Sequence, residues 1–238
     1  MFVPLHDKNP LKSIHYQYVT VGLIALNFAV FITFQTGWFF PLDERLAAFT
    51  LIPKEFWTDG APFTSHASVP EGALPVQESW TLVTYMFVHG NMMHLLGNML
   101  FLWVFGDNVE DAMGHFRFLM FFLMCGVFAG LSHTLAMQNS EIPVIGASGG
   151  VAGIISAYLM LHPKVKIWVL ALWRIPVKIS AAWVLGFWIL LQLFSAVTSS
   201  GDGIAWWAHV GGLVAGAVLI LFMRRPGVAL FDQTAGGA

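Results

Sequence analysis

The sequence predicts an all-α membrane protein, a polytopic bundle of six transmembrane helices. Of its 238 residues, 57% are hydrophobic and only 10% are charged, too little polar surface to cover a soluble protein of this size. Several apolar stretches run to about 18 residues or more, close to the length that crosses a ~30 Å hydrocarbon layer. The net charge is −2 and no basic run occurs, so nothing indicates a nucleic-acid partner.

Six apolar segments are predicted to cross the bilayer. They cover residues 19–34, 91–105, 116–137, 148–161, 179–197 and 204–223. Together they form a core over residues 19–224, with an outer loop at 41–79 between the first two spans. An N-terminal segment, residues 1–18, precedes this core. A Gly/Ala-rich tail, residues 225–238, follows it and is expected to fray.

The segment before the second span contains a predicted helix start. His89, Gly90 and Asn91 precede the span, and asparagine is a favoured N-cap residue. Residues 81–88 are therefore expected to approach the membrane as a loop packed against protein, because lipid does not satisfy an irregular backbone. His89 is expected to brace this loop.

The distribution of basic residues predicts the orientation of the chain. With the N-terminus in the cytoplasm, nine of the eleven Lys and Arg residues lie in inner segments, and only Arg45 and Lys54 lie outside. The inner loop at 162–178 combines Lys and Arg with Trp, a composition suited to the lipid headgroup region. We expect a multi-pass protein of the cell (inner) membrane, embedded in the lipid bilayer with both termini cytoplasmic.

Polar side chains inside predicted spans are costly, so each one marks a candidate functional position. They are Asn27, His94, Asn98, His133, Ser148, Gln192 and His209. Three of these, Asn27, His133 and Gln192, are lone groups. That isolation favours hydrogen bonds to neighbouring helices for each of the three.

His94, Ser148 and His209 are predicted to lie at one depth. Each is 13 to 15 residues from a polar or charged residue at the cytoplasmic end of its span, which is about 20–22 Å at 1.5 Å per residue. Asn98 follows His94 by four positions and projects from the same face of the second span. The sequence therefore predicts a buried site built by the second, fourth and sixth spans.

The side chains at this depth favour acyl-transfer chemistry. A serine hydroxyl becomes a useful nucleophile when a histidine takes its proton, so Ser148 and His209 form a candidate pair. No Asp or Glu lies within a span to orient His209, so we expect a dyad rather than a triad. The amide of Asn98, a ring N–H of His94 and the backbone N–H of Ser148 are candidate oxyanion donors.

Glycines surround the candidate nucleophile and continue on two helices. Gly146 and Gly149 allow a sharp turn into the fourth span beside Ser148. Small-residue stripes at Gly149-x-x-x-Gly153 and Gly212-x-x-x-Gly216 are predicted to pack together and bring Ser148 within hydrogen-bond range of His209. His89 and His94 have no HExxH motif and no carboxylate beside them in a span, so we predict neither a metal nor a cofactor.

These motifs resemble those of the rhomboid family of intramembrane serine proteases, over about residues 80–225. The matching motifs are His94-x-x-x-Asn98, Gly146-Ala147-Ser148-Gly149 and Ala208-His209-x-x-Gly212-x-x-x-Gly216. Glu110 and Gly114, and the run from Trp183 to Gln192, are also similar to bacterial members. The sequence departs from the family at Ala152, where many members carry a tyrosine that stacks on the histidine. It also lacks a Trp-Arg pair between residues 41 and 79.

The resemblance implies Ser148 as nucleophile, His209 as general base, and His94 with Asn98 in the oxyanion hole. It also implies a six-helix core, no cofactor, and single-span membrane proteins as substrates, cleaved in or near their transmembrane segments. Two alternatives stay open at this stage, as does the oligomeric state. A non-catalytic relative that escorts membrane proteins is expected to lack Ser148 or His209. A small transporter is expected to show broken helices and internal repeats.

Overall fold

Six helices of the structure, a computed structural model, lie at the six predicted spans, and the second of them continues eight residues beyond its predicted end at residue 105. The structure describes residues 2–38, 48–58, 76–171, 174–199 and 203–232, and most of the predicted outer loop at 41–79 lies outside these ranges. The helices are α1 (Tyr18–Val30, continued by a π-helical turn at Phe31–Gln35), α2 (Pro53–Thr58), α3 (Glu78–Thr84, continued by a 3-10 turn at Tyr85–Phe87), α4 (Met92–Met113), α5 (His115–Ala136), α6 (Ser148–Leu161), α7 (Ala181–Thr198) and α8 (Trp206–Met223). The predicted polytopic helical bundle is confirmed.

The helices differ in how completely they would cross a membrane. Among the described residues, four are long and apolar enough by themselves, namely α1 with its π-helical turn, α5, α7 and α8. Helix α4 has 22 residues, but polar side chains such as His94 and Asn98 lower its hydropathy. Helix α6 has only 14 residues, about 21 Å in length. With its C-terminal end at one interface, α6 therefore begins inside a ~30 Å hydrocarbon layer.

The segment before α4 is helical, so the predicted loop at residues 81–88 is wrong. Helix α3 and its 3-10 turn cover most of these residues, and Thr81 and Tyr85 are buried. A helical backbone satisfies its own N–H and C=O groups at a depth where water is scarce, which a loop does not. The predicted cap is confirmed, because the Asn91 side chain accepts a hydrogen bond of 2.8 Å from the backbone N–H of His94.

A small sheet that the sequence did not predict covers one end of the bundle. It contains β1 (Phe2–Asp7), β2 (Lys166–Ala171) and β3 (Ile175–Ser180), antiparallel in the order β1-β2-β3. The predicted N-terminal segment thus pairs with the predicted inner loop between α6 and α7. Strand pairing satisfies the backbone of both segments at the end of the bundle.

Residues 226–232 of the C-terminal tail are held by hydrogen bonds, so the prediction of fraying is wrong for them. The N–H groups of Phe231 and Asp232 donate to the carbonyls of Met160 and Leu161 at the end of α6. The Asp232 carboxylate in turn accepts a hydrogen bond of 2.7 Å from the N–H of Lys164. Both terminal segments therefore lie at the same end of the bundle, opposite to the start of α6.

A buried carboxylate at the end of α4 holds the start of α1. The Glu110 side chain is fully buried and accepts hydrogen bonds from the N–H groups of Val19 (3.0 Å) and Thr20 (2.8 Å), and from the Thr20 hydroxyl. Helix α1 has no side-chain cap of its own. Glu110 therefore satisfies donors at this helix end that have no intrahelical acceptor, where the helix dipole also favours a negative charge.

We predict that Glu110→Ala lowers the free energy of unfolding by about 2–4 kcal/mol, because it leaves buried donors without an acceptor. Reversible unfolding in mixed detergent micelles measures this change. The control is Glu141→Ala, which removes an exposed carboxylate paired with Lys54 and leaves the unfolding midpoint unchanged. Equal losses in both variants, or none at Glu110, contradict the capping role.

Candidate active site

Ser148 and His209 meet inside the helical bundle. Ser148 is the first residue of α6, and His209 lies in the first turn of α8. The Nε2 atom of His209 lies 2.9 Å from the Ser148 hydroxyl oxygen, within hydrogen-bond range. Both side chains are partly buried. The two residues that the sequence selected as a nucleophile and base pair are thus in direct contact.

The glycine stripes account for this contact. A Cβ atom added at Gly212 would overlap the carbonyl oxygen of Gly149, and one added at Gly216 would overlap that of Gly153. The backbones of α6 and α8 therefore touch, which only residues without a side chain allow. Because Ser148 and His209 precede these contacts by one and three residues, the stripes set their separation.

The turn before Ser148 carries the oxyanion candidates. Gly146 has a φ of +110°, and an added Cβ would lie 2.7 Å from His94 Nε2 and 3.6 Å from Asn98 Nδ2. Both α4 side chains thus face this turn. Asn98 Nδ2 is buried and has no hydrogen-bond partner among the described residues. As the first residue of α6, Ser148 also has a backbone N–H without an intrahelical acceptor.

His89 supports the same turn from the other side, and it lies at the loop where the sequence placed a bracing residue. Its Nε2 atom accepts a long hydrogen bond of 3.4 Å from the N–H of Ala147. A ring nitrogen that accepts a hydrogen bond carries no proton, so this contact fits a neutral imidazole with its proton on Nδ1.

Gln192 on α7 is a site residue that the sequence analysis did not recognise. Its Oε1 atom lies 2.7 Å from His209 Nδ1, and its side chain is 6% exposed. The role of Gln192 was missed because only Asp and Glu were considered as groups that could orient His209. The signal was present, because Gln192 was the one amide side chain in the fifth span.

Two tryptophans flank the imidazole of His209. Trp206 contacts it edge-on with ring centroids 5.8 Å apart, and Trp188 lies at 6.3 Å with its plane tilted by 32°. Ala152, where many rhomboids carry a tyrosine, is fully buried against α8. Aromatic contact with the histidine therefore comes from α7 and α8 rather than from α6.

Neither of the two remaining polar span residues shows the predicted interhelical hydrogen bond to a described residue. Asn27 donates to the carbonyl of Leu23 within its own helix at 2.8 Å. His133 is buried, its Nδ1 atom has no partner among the described residues, and it lines a cavity of about 210 Å³ together with Trp206. Of the three predictions, only the one for Gln192 matches the structure.

The described ranges contain no group of three His, Cys, Asp or Glu side chains placed to hold a metal ion. A serine hydroxyl rests on an imidazole, and an unpaired amide donor lies beside the same turn. This combination suits attack on a carbonyl carbon and stabilisation of the resulting oxyanion.

The fold and the site define a multi-pass membrane protein with a serine–histidine pair inside its helical bundle. A family model for the Rhomboid domain matches residues 76–226, more than half of the sequence. The chain belongs to the rhomboid family.

Individual relatives give matches of similar extent. Rhomboid-like protein 11, chloroplastic, of Arabidopsis thaliana is 28% identical over 166 residues, which cover 65% of this chain and 56% of that protein. Rhomboid protease GluP of Bacillus subtilis (strain 168) is 30% identical over 156 residues, 66% of this chain and 28% of that protein. Rhomboid-related protein 2 of Mus musculus is 30% identical over 144 residues, 59% and 46% of the two chains. The chain spans about half the length of these relatives, or less.

We predict opposite effects for two Gly→Ala substitutions. Gly212→Ala places a Cβ against the Gly149 carbonyl and lowers the free energy of unfolding by about 1–3 kcal/mol. Gly186→Ala on α7 meets nothing within 4 Å and leaves stability unchanged or raises it by up to about 1 kcal/mol. Unfolding of both variants in detergent micelles measures this contrast. Equal stability of the two contradicts the proposed α6–α8 contact.

Proposed function

We propose that this protein is an intramembrane serine endopeptidase that uses a Ser148–His209 pair. Its substrates are single-span membrane proteins, cleaved in or near their transmembrane segments. The observation that carries the proposal is the 2.9 Å contact between His209 Nε2 and the Ser148 hydroxyl inside a membrane bundle. The rhomboid family, which includes intramembrane serine proteases, supports the same conclusion.

In this mechanism His209 Nε2 takes the hydroxyl proton while Ser148 Oγ attacks the carbonyl carbon of the scissile peptide bond. The carbon becomes tetrahedral and its oxygen becomes an anion. The C–N bond then breaks as the imidazolium gives its proton to the leaving amine. A water molecule, deprotonated by His209, attacks the acyl-enzyme, releasing the second product and restoring the hydroxyl.

The oxyanion is held at the turn before Ser148. Asn98 Nδ2 is a buried donor without a partner among the described residues, which is costly unless a ligand uses it. His94 Nδ1 lies 3.5 Å from the N–H of Gly90, a long contact that favours the tautomer with the proton on Nε2. His94 Nε2 then donates toward the Gly146 turn. The backbone N–H of Ser148 is the third donor.

The alternatives fit these contacts less well. A protein that only escorts membrane proteins has no need for a serine hydroxyl aligned on an imidazole, or for a buried donor beside it. A transporter site formed at broken helices would interrupt the helices around it. Here α6 and α8 are continuous from Ser148 and from Trp206 onward. Endopeptidase activity uses all the polar groups of the site.

We also propose that the sheet and both terminal segments face the cytoplasm, in the cell (inner) membrane. The positive-inside pattern of the sequence carries this orientation. Both terminal segments and the α6–α7 hairpin lie at one end of the bundle. This is consistent with the orientation, because six spans place the two terminal segments on the same side of the membrane. In this orientation Ser148 lies in the outer half of the bilayer.

We predict that Ser148→Ala abolishes cleavage of a single-span substrate reconstituted with the protein in lipid vesicles, because no other group replaces the nucleophile. The matched control is Ser156→Ala on the same helix, where the hydroxyl only donates to the Gly153 carbonyl. This control retains cleavage within about twofold, because the substitution removes a single neutral hydrogen bond that lies outside the site. Cleavage by folded Ser148→Ala protein, or equal loss in both variants, overturns the proposal.

A further inference from the structure

Gln192 links the base of the site to α7, which carries none of the site's other hydrogen-bonding groups described above. Its Oε1 atom lies 2.7 Å from His209 Nδ1, while the opposite ring nitrogen lies 2.9 Å from the Ser148 hydroxyl. The three side chains therefore form one hydrogen-bonded series, from Gln192 on α7 through His209 on α8 to Ser148 on α6. Gln192 is 6% exposed, so water does not compete for this contact.

We propose that Gln192 is the positioning residue of His209, and that the packing of α7 against α8 therefore controls whether His209 can take the proton of Ser148. The inference rests on the proposed protease function. The residue acts through the histidine and does not touch the reacting atoms. A Ser–His–Gln series then replaces the dyad that the sequence predicted.

The chemistry follows from the two nitrogens of a neutral imidazole, of which one donates and the other accepts. The Gln192 carbonyl oxygen accepts the proton on Nδ1, which leaves the lone pair of Nε2 facing the serine hydroxyl. Without this acceptor the other tautomer places a proton on Nε2, where it cannot remove one from Ser148. A neighbouring group that fixes the tautomer is known to matter greatly in serine hydrolases.

A neutral acceptor suits the surroundings of His209. Among the described residues, the ionisable side chains that act electrostatically on His209 are His94 on α4 and His133 on α5, both imidazoles. No carboxylate of the described residues is among them. Gln192 therefore orients the ring without supplying a counter-charge for the imidazolium, so we expect a smaller effect from it than from an aspartate.

The second part of the proposal follows from how little of α7 is buried in the bundle. Only five of its 18 residues are buried, against 11 of 14 in α6. Of those five, Gln192 is the polar one, and the others are Ala181, Val184, Leu185 and Ala196. Displacing α7 from the bundle removes the acceptor from His209 while α6 and α8 stay joined by their glycines.

The first test compares two substitutions at Gln192. Gln192→Leu keeps the size of the side chain but removes the acceptor, and we expect kcat to fall by about 10- to 100-fold with KM unchanged. Gln192→Glu keeps an acceptor, restores most of kcat, and moves the acid limb of the kcat pH profile upward by about one unit, because a carboxylate favours the imidazolium. Leu193→Ala, an exposed neighbour on α7, is the control and retains kcat.

The second test is a double-mutant cycle read out by the rate at which a fluorophosphonate labels Ser148. Leu185→Ala removes a buried contact of α7 and slows labelling several-fold. In a Gln192→Leu background the same change has no further effect, because the link is already broken. Additive effects overturn the control by α7.

Two further results contradict the positioning role. One is a Gln192→Leu variant with kcat within twofold of the original protein. The other is equal loss of activity in Gln192→Leu and Gln192→Glu together with lost thermal stability, which assigns Gln192 to packing alone. Failure of the protease proposal looks different, because then the unsubstituted protein neither cleaves substrate nor takes the probe.

Discussion

At Gly212 the backbone of α8 rests on the carbonyl oxygen of Gly149 in α6, with no side chain between them. The same contact recurs one turn further along, between Gly216 and Gly153. In lipid, no hydrophobic effect drives helices together, so close backbone packing of this kind determines which helices associate. The separation of Ser148 from His209 follows from it. The orientation of the His209 imidazole also follows from it, because the Nδ1 atom of the ring then lies against Gln192 on α7.

The polar groups of the site show how such residues are tolerated in a bundle that lipid surrounds. An unsatisfied polar group is costly there. Three side chains of the site avoid this cost by pairing in a series that runs from Ser148 through His209 to Gln192. The Asn98 Nδ2 and His89 Nδ1 atoms have no partner among the described residues. A donor left without a partner beside a nucleophile is stabilised when an oxyanion forms. In the proposed mechanism, the cost in the resting protein thus becomes stabilisation of the transition state.

The sequence predicted the bundle well because long apolar runs have few other structures available to them, and the boundaries of α6 and α8 agree within two residues. Ser148 and His209 were recognisable because polar residues at equal depth are rare in spans. The sheet at the end of the bundle was missed because β1 and β2 pair over 160 residues of sequence, and neither strand is stable alone. Gln192 was missed because its role depends on the direction of α7, which hydropathy does not specify.

The proposed activity depends on the activation of Ser148 by His209 inside the bundle. This activation is tested by treating the protein in lipid vesicles with a fluorophosphonate and mapping the adduct by peptide mass spectrometry. We expect one adduct, on Ser148, that is lost in His209→Ala protein that remains folded. No adduct on Ser148, or an adduct that forms at the same rate without His209, would contradict it.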